Sequence, residues 1–254
     1  IKNKVKQEHM QTKKEIFSLK PQKISLIICL SFSMCIGGCA HLYKQNPQDP
    51  FEKYNRSAYN LNSKIETFIL KPITTVYTHL IPWFVRDGIG NFFNNIDTLP
   101  DIANDLFQGN FKMASRDTSR FLLNSSFGIG GLFDVASRGG LPGHYQGFSK
   151  TLYVWGWKDS AYFILPALGP STIRGTVSLV PSHYMDPLTY VRPTWLKYTL
   201  DGVKFTQIAS VALPAKDKIT QIAIDPYIAE RNAYMQNLKF RLDSSKSSKK
   251  NQND

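Results

Sequence analysis

The side chains able to do acid, base or metal chemistry are few, and their spacing matches no catalytic motif. After residue 39 the chain has four histidines, none of them in an HExxH motif or in a pair four residues apart: His41, His79, His144 and His183. A zinc site built on such a motif therefore lacks its ligands. Asp101 and Asp105 are predicted to share a helix face and could hold a metal or act as acid and base, but helix capping or solvent contact is the simpler interpretation.

Nucleophilic and phosphate-binding motifs are also incomplete. Residues 169–173 place Ile173 where the G-x-S-x-G nucleophile elbow needs glycine, and residues 147–151 fail in the same way. The run Gly128-Ile129-Gly130-Gly131 has no following lysine and no preceding strand, which argues against a phosphate-binding loop. We therefore predict no enzyme activity, no cofactor and no metal. The alternative is an exported lipid hydrolase whose catalytic triad comes from residues distant in sequence.

The N-terminal segment has the pattern of an export signal. Lysines precede an apolar run from Ile24 to Ile36, which is too short to cross a bilayer of roughly 30 Å as a helix. The run ends in Ile36-Gly37-Gly38-Cys39-Ala40, which resembles the bacterial lipoprotein box. We predict a signal peptide over 1–38 and lipid attachment at Cys39, with Ala40 indicating the outer membrane. An ordinary cleaved signal with an incidental cysteine is the alternative, and Met10 could be the true start.

Charge and aromatic content favour a membrane surface over nucleic acid. The 254 residues carry 31 Lys and Arg against 19 Asp and Glu, a formal charge of +12. These basic residues are scattered rather than gathered along one helix or groove, so we predict no nucleic-acid partner. Of the 32 aromatic residues, 30 lie after residue 38. Such a composition suits a membrane interface, and a core with many rings is the other interpretation.

Apolar residues recur at steps of three and four over most of the chain, which predicts an all-α domain of short amphipathic helices from about 49 to 240. Asp49 is predicted to cap the first helix, whose apolar face runs from Phe51 to Phe68 until Pro72 ends it. A helix is expected to restart at Pro100 and to end at Gly109, and Asn110 is expected to cap the next. Further helices are predicted over 157–165, 171–180, 195–211 and 225–240. Residues 39–48 and 241–254 are predicted to be a tether and a disordered tail.

One glycine-rich segment interrupts the helical pattern. Residues 124–136 place Gly128, Gly130 and Gly131 among four large apolar residues: Phe127, Ile129, Leu132 and Phe133. Glycine permits sharp bends, so the segment could be an apolar hairpin with a glycine hinge. The alternative is that these glycines only end one helix and let the next pack closely.

Several separated motifs together resemble the MlaA/VacJ lipoprotein family. They are Asp49-Pro50-Phe51-Glu52 with Asn55-Arg56 and Tyr59-Asn60, Arg120-Phe121-Leu122-Leu123-Asn124, residues 128–136, and Asp225-Pro226-Tyr227. Their order and spacing also match, over roughly 50–240 and together with the lipoprotein box. The stretch from Arg138 to Tyr145 departs from the family pattern, so the shape of that connection is not predicted.

The resemblance implies a fold and a function. Members of this family are similar in forming a ring of helices embedded in one leaflet of the outer membrane, with an amphipathic channel that admits misplaced phospholipids. Trimeric porins hold such a lipoprotein, and the lipid passes to a soluble periplasmic phospholipid carrier and then to an inner-membrane complex. The resemblance places residues 127–133 beside the lipid path.

Three polar residues of the first helix, Asn55, Arg56 and Asn60, are each expected to need a definite hydrogen-bond partner if they are buried. For Arg56, a solvent-exposed helix face is the alternative. A structural lipoprotein that only tethers the envelope is the alternative function.

Overall fold

The computed structural model describes residues 49–144 and 146–250, with side-chain positions as far as 243. The predicted signal peptide, Cys39 and the tether lie outside these residues. The helices are α1 (Glu52–Ile65), α2 (Lys71–Leu80), α3 (Trp83–Phe107), α4 (Phe111–Ser126), α5 (Val135–Arg138), α6 (Phe148–Val154), α7 (Ile173–Met185), α8 (Thr194–Ile222) and α9 (Pro226–Lys250). A π-helical turn (Glu66–Leu70) joins α1 to α2, and a 3₁₀ turn (Pro187–Tyr190) follows α7. Within the described ranges, none of these helices combines the length and the apolar character needed to span a bilayer.

Two prolines that were predicted to mark helix boundaries lie within helices instead. Pro72 was expected to end the first helix, but it lies in the first turn of α2, directly after the π-helical turn. The wider turn accommodates a residue that has no N–H to donate. Pro100 was expected to start a helix, but it lies inside α3, which continues to Phe107. The predicted cap of the next helix is confirmed, because the Asn110 side chain accepts a hydrogen bond from the Met113 N–H.

A small antiparallel hairpin is the exception to the all-α prediction. The predicted helix over 157–165 is wrong, because its second half is strand β1 (Tyr162–Leu165), which pairs with β2 (Gly169–Thr172). The register sets Tyr162 opposite Thr172 and Leu165 opposite Gly169. Aromatic and β-branched side chains favour a strand. The chain reverses over residues 166–168, where Ala167 has a φ of +64°, and Gly169 follows with a φ of +93° that other residues rarely adopt.

Two asparagines of α1 bind the free edge of this hairpin. Asn55 donates to the Tyr162 carbonyl at 3.2 Å and accepts from the Ile164 N–H at 2.9 Å. Asn62 repeats the pattern, donating to the Leu165 carbonyl at 2.9 Å and accepting from the Ala167 N–H at 2.7 Å. Each carboxamide thus supplies the donor and acceptor that a neighbouring strand would supply. The buried residues of α1 are Asn55, Ala58 and Asn62, and only Ala58 of these belongs to the predicted apolar face.

Contacts between the elements close into a circuit. Helix α1 packs on β1, β2 on α9, α9 on α8, α8 on α2, and α2 joins α1 through the π-helical turn. The buried apolar cluster lies in this circuit and consists of Ala58, Tyr162, Ile164 and Tyr227. Helix α3 connects it to α4, α6 and α7. The last helix, expected to end at Phe240, continues to Lys250, so the predicted tail is helical over the part that the structure describes.

The polarity of the domain is inverted relative to that of a water-soluble protein. Among the residues described, 11 buried residues are apolar and 21 are polar or charged, while 37 large apolar side chains are exposed. Hydrogen bonds satisfy many of the buried polar groups, whereas apolar rings cover the outside. Exposed apolar area of this extent is typical of a surface that contacts a membrane or another protein.

Candidate functional site

The glycine-rich segment forms a compact turn between α4 and α5. Its backbone is held by hydrogen bonds from the Gly130 N–H to the Ser125 carbonyl at 3.0 Å, from Gly131 to Asn124 at 2.9 Å, and from Phe133 to Gly128 at 2.9 Å. The four apolar side chains point outwards, and Phe127 and Ile129 are 73% and 67% exposed. The turn therefore presents an apolar tip on a well-bonded base.

The three glycines of the turn differ in what surrounds them. A Cβ at Gly128 would collide with the carbonyl oxygens of Phe133 and Asn124. At Gly131 a Cβ would lie 2.6 Å from the Asn95 Cβ, and the φ of +92° is also left-handed. Gly130 has a φ of +67° and no atom within 4 Å of a Cβ. Close packing therefore explains Gly128 and Gly131, and backbone conformation explains Gly130.

Arg120 and Asp134 clamp the base of this turn. The Arg120 guanidinium donates to the Asp134 carboxylate at 2.7 Å, to the Ser137 hydroxyl at 2.8 Å and to the Leu141 carbonyl at 2.6 Å. Asn124 also donates to Asp134 at 3.1 Å and accepts from the Ala136 N–H at 2.9 Å. Burial alone would raise the pKa of Asp134, but the hydrogen bonds from Ser137, Arg120 and Asn124 lower it to about 2. The carboxylate is thus charged at neutral pH, and it holds the end of the turn against α4 through Arg120 and Asn124.

The polar residues of the first helix do not form one site. Asn55 is fully buried at the hairpin edge, and Asn60 lies on the exposed side of α1. Arg56 pairs with Glu52 at 2.8 Å and with Asp225 at 2.9 Å, which joins α1 to the start of α9. The structure therefore gives Asn55 and Arg56 separate partners.

Asp49 is a buried junction rather than the predicted helix cap. The helix begins at Glu52 without a side-chain cap, because Asp49 is turned inwards. Its carboxylate accepts from Asn55 at 2.9 Å, from the Tyr227 hydroxyl and from Arg231 at 3.3 Å. Two motifs that lie at opposite ends of the domain, Asp49–Arg56 and Asp225–Tyr227, thus meet in space.

A cavity of about 220 Å³ lies between α2 and α8. Lys71 and Asp217 form an ion pair of 3.0 Å at its wall. Its other lining residues are mostly small and hydroxyl-bearing: Thr74, Thr75, Thr78, Ser210, Leu213 and Pro214. Ile73 and Val76 of α2 are exposed, so the helix has a polar side towards the cavity and an apolar side away from it.

Sequence reasoning missed one cluster of titratable groups. Asp105 of α3 and Asp117 of α4 lie beside His144, which belongs to the connection whose shape was not predicted. Burial lowers the pKa of the imidazole, but the two neighbouring carboxylates, which favour the charged ring, outweigh it and raise the pKa to about 9. Burial also raises the pKa of nearby Asp101 to about 7, and its carboxylate accepts from the Gln146 N–H at 2.9 Å. No short motif signals this cluster, because its members come from three separate segments.

The serine of the incomplete elbow motif has a local role. Ser171 lies in β2, and its hydroxyl donates to the Thr172 carbonyl at 3.3 Å. A Cβ at Gly175 would lie 2.6 Å from the Ser171 Oγ, so the first turn of α7 packs against this hydroxyl. Ser171 therefore stabilises the hairpin and its packing against α7.

Comparisons with known proteins agree with the arrangement of the motifs. Residues 47–241 match the family model described as MlaA lipoprotein. An uncharacterized protein of Rickettsia felis is 33% identical over 197 residues, which are 77% of this chain and 76% of the relative. The intermembrane phospholipid transport system lipoprotein MlaA of Haemophilus influenzae is 29% identical and covers 87% of this chain and 92% of its own length.

The fold agrees as well. A solved structure from work on the structural basis for maintenance of bacterial outer membrane lipid asymmetry aligns with a TM-score of 0.66 at 27% identity. The alignment covers 76% of this chain and 98% of that chain. The helical fold expected from the resemblance is therefore confirmed, and the family is one of transport lipoproteins rather than of enzymes. Together, the matched model, the similar fold and the paired motifs show that this chain belongs to the MlaA lipoprotein family.

Proposed function

We propose that this protein takes part in phospholipid transport between membranes. In this proposal it removes mislocalised phospholipids from the outer leaflet of the outer membrane through an amphipathic channel and passes them to a soluble periplasmic carrier, which maintains lipid asymmetry. The observation that carries the proposal is the inverted polarity of the described domain, with 37 large apolar side chains exposed and 21 polar or charged residues buried. Family membership supports the same conclusion.

The cavity between α2 and α8 is our candidate for the polar side of the lipid path. Its hydroxyl groups and the Lys71–Asp217 pair suit a phospholipid headgroup, which needs hydrogen-bonding partners throughout its passage. The exposed apolar side of α2 suits the acyl chains. A helix with two such sides can lie at the boundary between headgroups and hydrocarbon.

The glycine turn is our candidate for the moving part beside that path. Its tip offers Phe127, Ile129, Leu132 and Phe133 to acyl chains, and its base is fixed by Arg120 and Asp134. Because Gly130 alone is free of close neighbours, we place the hinge at this residue. Gly128 and Gly131 are then packing residues that keep the base rigid.

Attachment and partners complete the proposal. Cys39 would carry the lipid anchor that holds the protein on the periplasmic face of the outer membrane, and the exposed apolar residues would add to it. Trimeric porins would hold the lipoprotein in position, as the resemblance implies.

The proposal is tested with purified protein and with cells. Labelled phospholipid that the purified protein binds intact supports transport, and cleaved phospholipid would show a lipid hydrolase. If phospholipid is neither bound nor cleaved, a structural tether is the remaining function. In cells that rely on this protein, Phe127→Ser should leave its abundance normal and let phospholipid accumulate on the cell surface. Phe240→Ser is the matched control, because Phe240 of α9 is 74% exposed and Phe127 is 73% exposed. Equal effects of the two substitutions would contradict a special role for the turn.

A further inference from the structure

Three segments that are distant in sequence bring potential metal ligands together. Asp105 lies near the end of α3, Asp117 in the middle of α4, and His144 in the connection between α5 and α6. One ligand atom from each lies within 4.8 Å of the other two. The two aspartates are 0% and 2% exposed, so the carboxylates face the protein rather than water.

The two carboxylates lie close to the His144 ring, each beside a different ring nitrogen. His144 Nε2 lies 3.6 Å from Asp105 Oδ2, and His144 Nδ1 lies 3.4 Å from Asp117 Oδ1. A direct hydrogen bond between an imidazolium and a carboxylate is shorter, about 2.7–2.9 Å. Two ligands of one tetrahedral zinc ion, each about 2.1 Å from the metal, lie about 3.4 Å apart. Each separation taken singly matches that of two ligands of one ion. Because an ion binds only one of the two ring nitrogens, that nitrogen and its neighbouring carboxylate would hold it, and the other carboxylate, within 4.8 Å, would be the third ligand.

Several buried polar atoms of this cluster and its neighbour Gln146 have no hydrogen-bond partner. Asp105 Oδ2, Asp117 Oδ1 and both ring nitrogens of His144 have no hydrogen-bond partner of ordinary geometry. Gln146 is 2% exposed and its Oε1 is also unpartnered, while its Nε2 donates to Asp105 Oδ1 at 2.5 Å. Buried polar groups normally have partners, because an unpaired one costs several kcal/mol in an apolar medium. A bound cation would satisfy the two carboxylate oxygens and one ring nitrogen, and the other ring nitrogen would carry a proton.

We propose that Asp105, Asp117 and His144 form a binding site for one divalent transition-metal ion, with zinc as the best fit. An imidazole nitrogen with two carboxylates is a ligand set that zinc accepts, whereas magnesium and calcium prefer oxygen ligands alone. The ion also compensates the two buried negative charges. A water molecule can supply the fourth ligand.

The site has a defined structural effect. It ties the connection between α5 and α6 to both α3 and α4 through one ion. Asp117 lies one turn before Arg120 on α4, and the neighbouring Arg116 donates to the Pro142 carbonyl at 2.7 Å. The ion would therefore hold the segment directly after the glycine turn. This role does not depend on lipid transport.

The test uses the full-length lipoprotein purified in detergent and stripped of metal with a chelator. We expect one zinc ion to bind per chain in a calorimetric titration, and a hundredfold excess over Kd to raise Tm by roughly 5–10 °C. Cobalt bound in place of zinc should give a visible absorption band. A wild-type protein that binds no stoichiometric zinc or cobalt would overturn the proposal and leave a protonated imidazole between the two carboxylates.

Variants then assign the ligands. His144→Ala and the isosteric Asp117→Asn should each weaken zinc affinity by at least about tenfold and remove the cobalt band. His183→Ala, at an exposed histidine of α7, should bind as the wild type does. If His144→Ala fails to fold, Asp117→Asn carries the test. Zinc affinity that is unchanged in Asp117→Asn, or reduced equally in His183→Ala, would contradict the assigned ligands.

Discussion

The glycine turn permits a sharp prediction, because its glycines are similar in sequence but differ in surroundings. Gly130→Ala introduces a Cβ with no neighbour within 4 Å, at a φ of +67°. The left-handed backbone costs an alanine about 1–2 kcal/mol. Gly131→Ala adds a collision to that strain, since its Cβ would lie 2.6 Å from the Asn95 Cβ and 2.7 Å from Nδ2. Overpacking of this kind costs about 1–3 kcal/mol more.

The two substitutions should therefore separate in a thermal denaturation experiment. For a domain of this size, about 1 kcal/mol lowers Tm by roughly 2–4 °C. We expect Gly130→Ala to lower Tm by roughly 2–8 °C and Gly131→Ala by roughly twice as much. Gly130→Asn is the matched control, because asparagine tolerates the left-handed region better than alanine does, and it should be nearly neutral.

The same variants decide between a hinge and a packing role for Gly130. A hinge predicts that Gly130→Ala lets phospholipid accumulate on the cell surface at nearly normal protein abundance, because alanine closes conformations that glycine allows. A packing role predicts that function falls only in proportion to stability. If Gly131→Ala is no more destabilising than Gly130→Ala, the geometry of the turn described above is wrong.

Three further predictions follow from the polar junctions and the anchor. Asn55→Ala should lower the free energy of unfolding by about 2–4 kcal/mol, measured by chemical denaturation, because the Tyr162 carbonyl and the Ile164 N–H lose their partner, while Asn60→Ala should change it by less than about 0.5 kcal/mol. The Asp134 pKa is near 2 in the folded protein and about 3.9 in the unfolded chain, so its stabilisation is complete above about pH 4 and is lost as the pH falls towards 2. Tm should accordingly fall less steeply between pH 4 and pH 2 in Asp134→Asn than in the wild type or in Asp159→Asn, and equal slopes would argue against the clamp. Cys39→Ser should abolish acylation of the mature N-terminus in mass spectrometry and reduce membrane retention, and retention equal to that of the wild type would contradict the anchor.

Local signals in the sequence predicted most helices correctly. Gly109 has the left-handed conformation expected at a helix end, and Asn110 caps the helix that follows. Asp225 accepts from the Tyr227 N–H at 3.0 Å at the start of α9, as the Asp-Pro pair predicts. Such features depend only on residues within one turn of each other, so they can be read from a single sequence.

The errors have a common physical cause. The first helix was predicted to have one apolar face, but in α1 Leu61 of that face is 47% exposed, whereas Asn55 and Asn62 are buried. Periodicity locates the two faces of a helix without stating which one faces the protein, and in lipid the usual assignment is reversed. Asp49 was misplaced for a related reason, because its partners Tyr227 and Arg231 lie almost the whole domain away in sequence.

The cluster of Asp105, Asp117 and His144 was out of reach for a different reason. Its members come from two helices and an irregular connection, so no fixed spacing links them. Asp101 and Asp105 were predicted to share a helix face, and in the structure both bind Gln146, Asp101 through its backbone N–H and Asp105 through its side chain. Only the tertiary packing of α3 on α4 brings the second aspartate close.

The hydrogen bonds of Asn55 and Asn62 to the hairpin affect the order in which the domain folds. Asn55 is separated by more than a hundred residues from the strand that it binds, and Asp49 is separated by 178 residues from Tyr227. Contacts between residues so far apart in sequence form slowly. Until they form, α1 carries unsatisfied carboxamides on one side and bare aromatic rings on the other, so the nascent chain is prone to aggregate. Closure of the domain is therefore a late event, and a chain truncated before residue 225 should remain open.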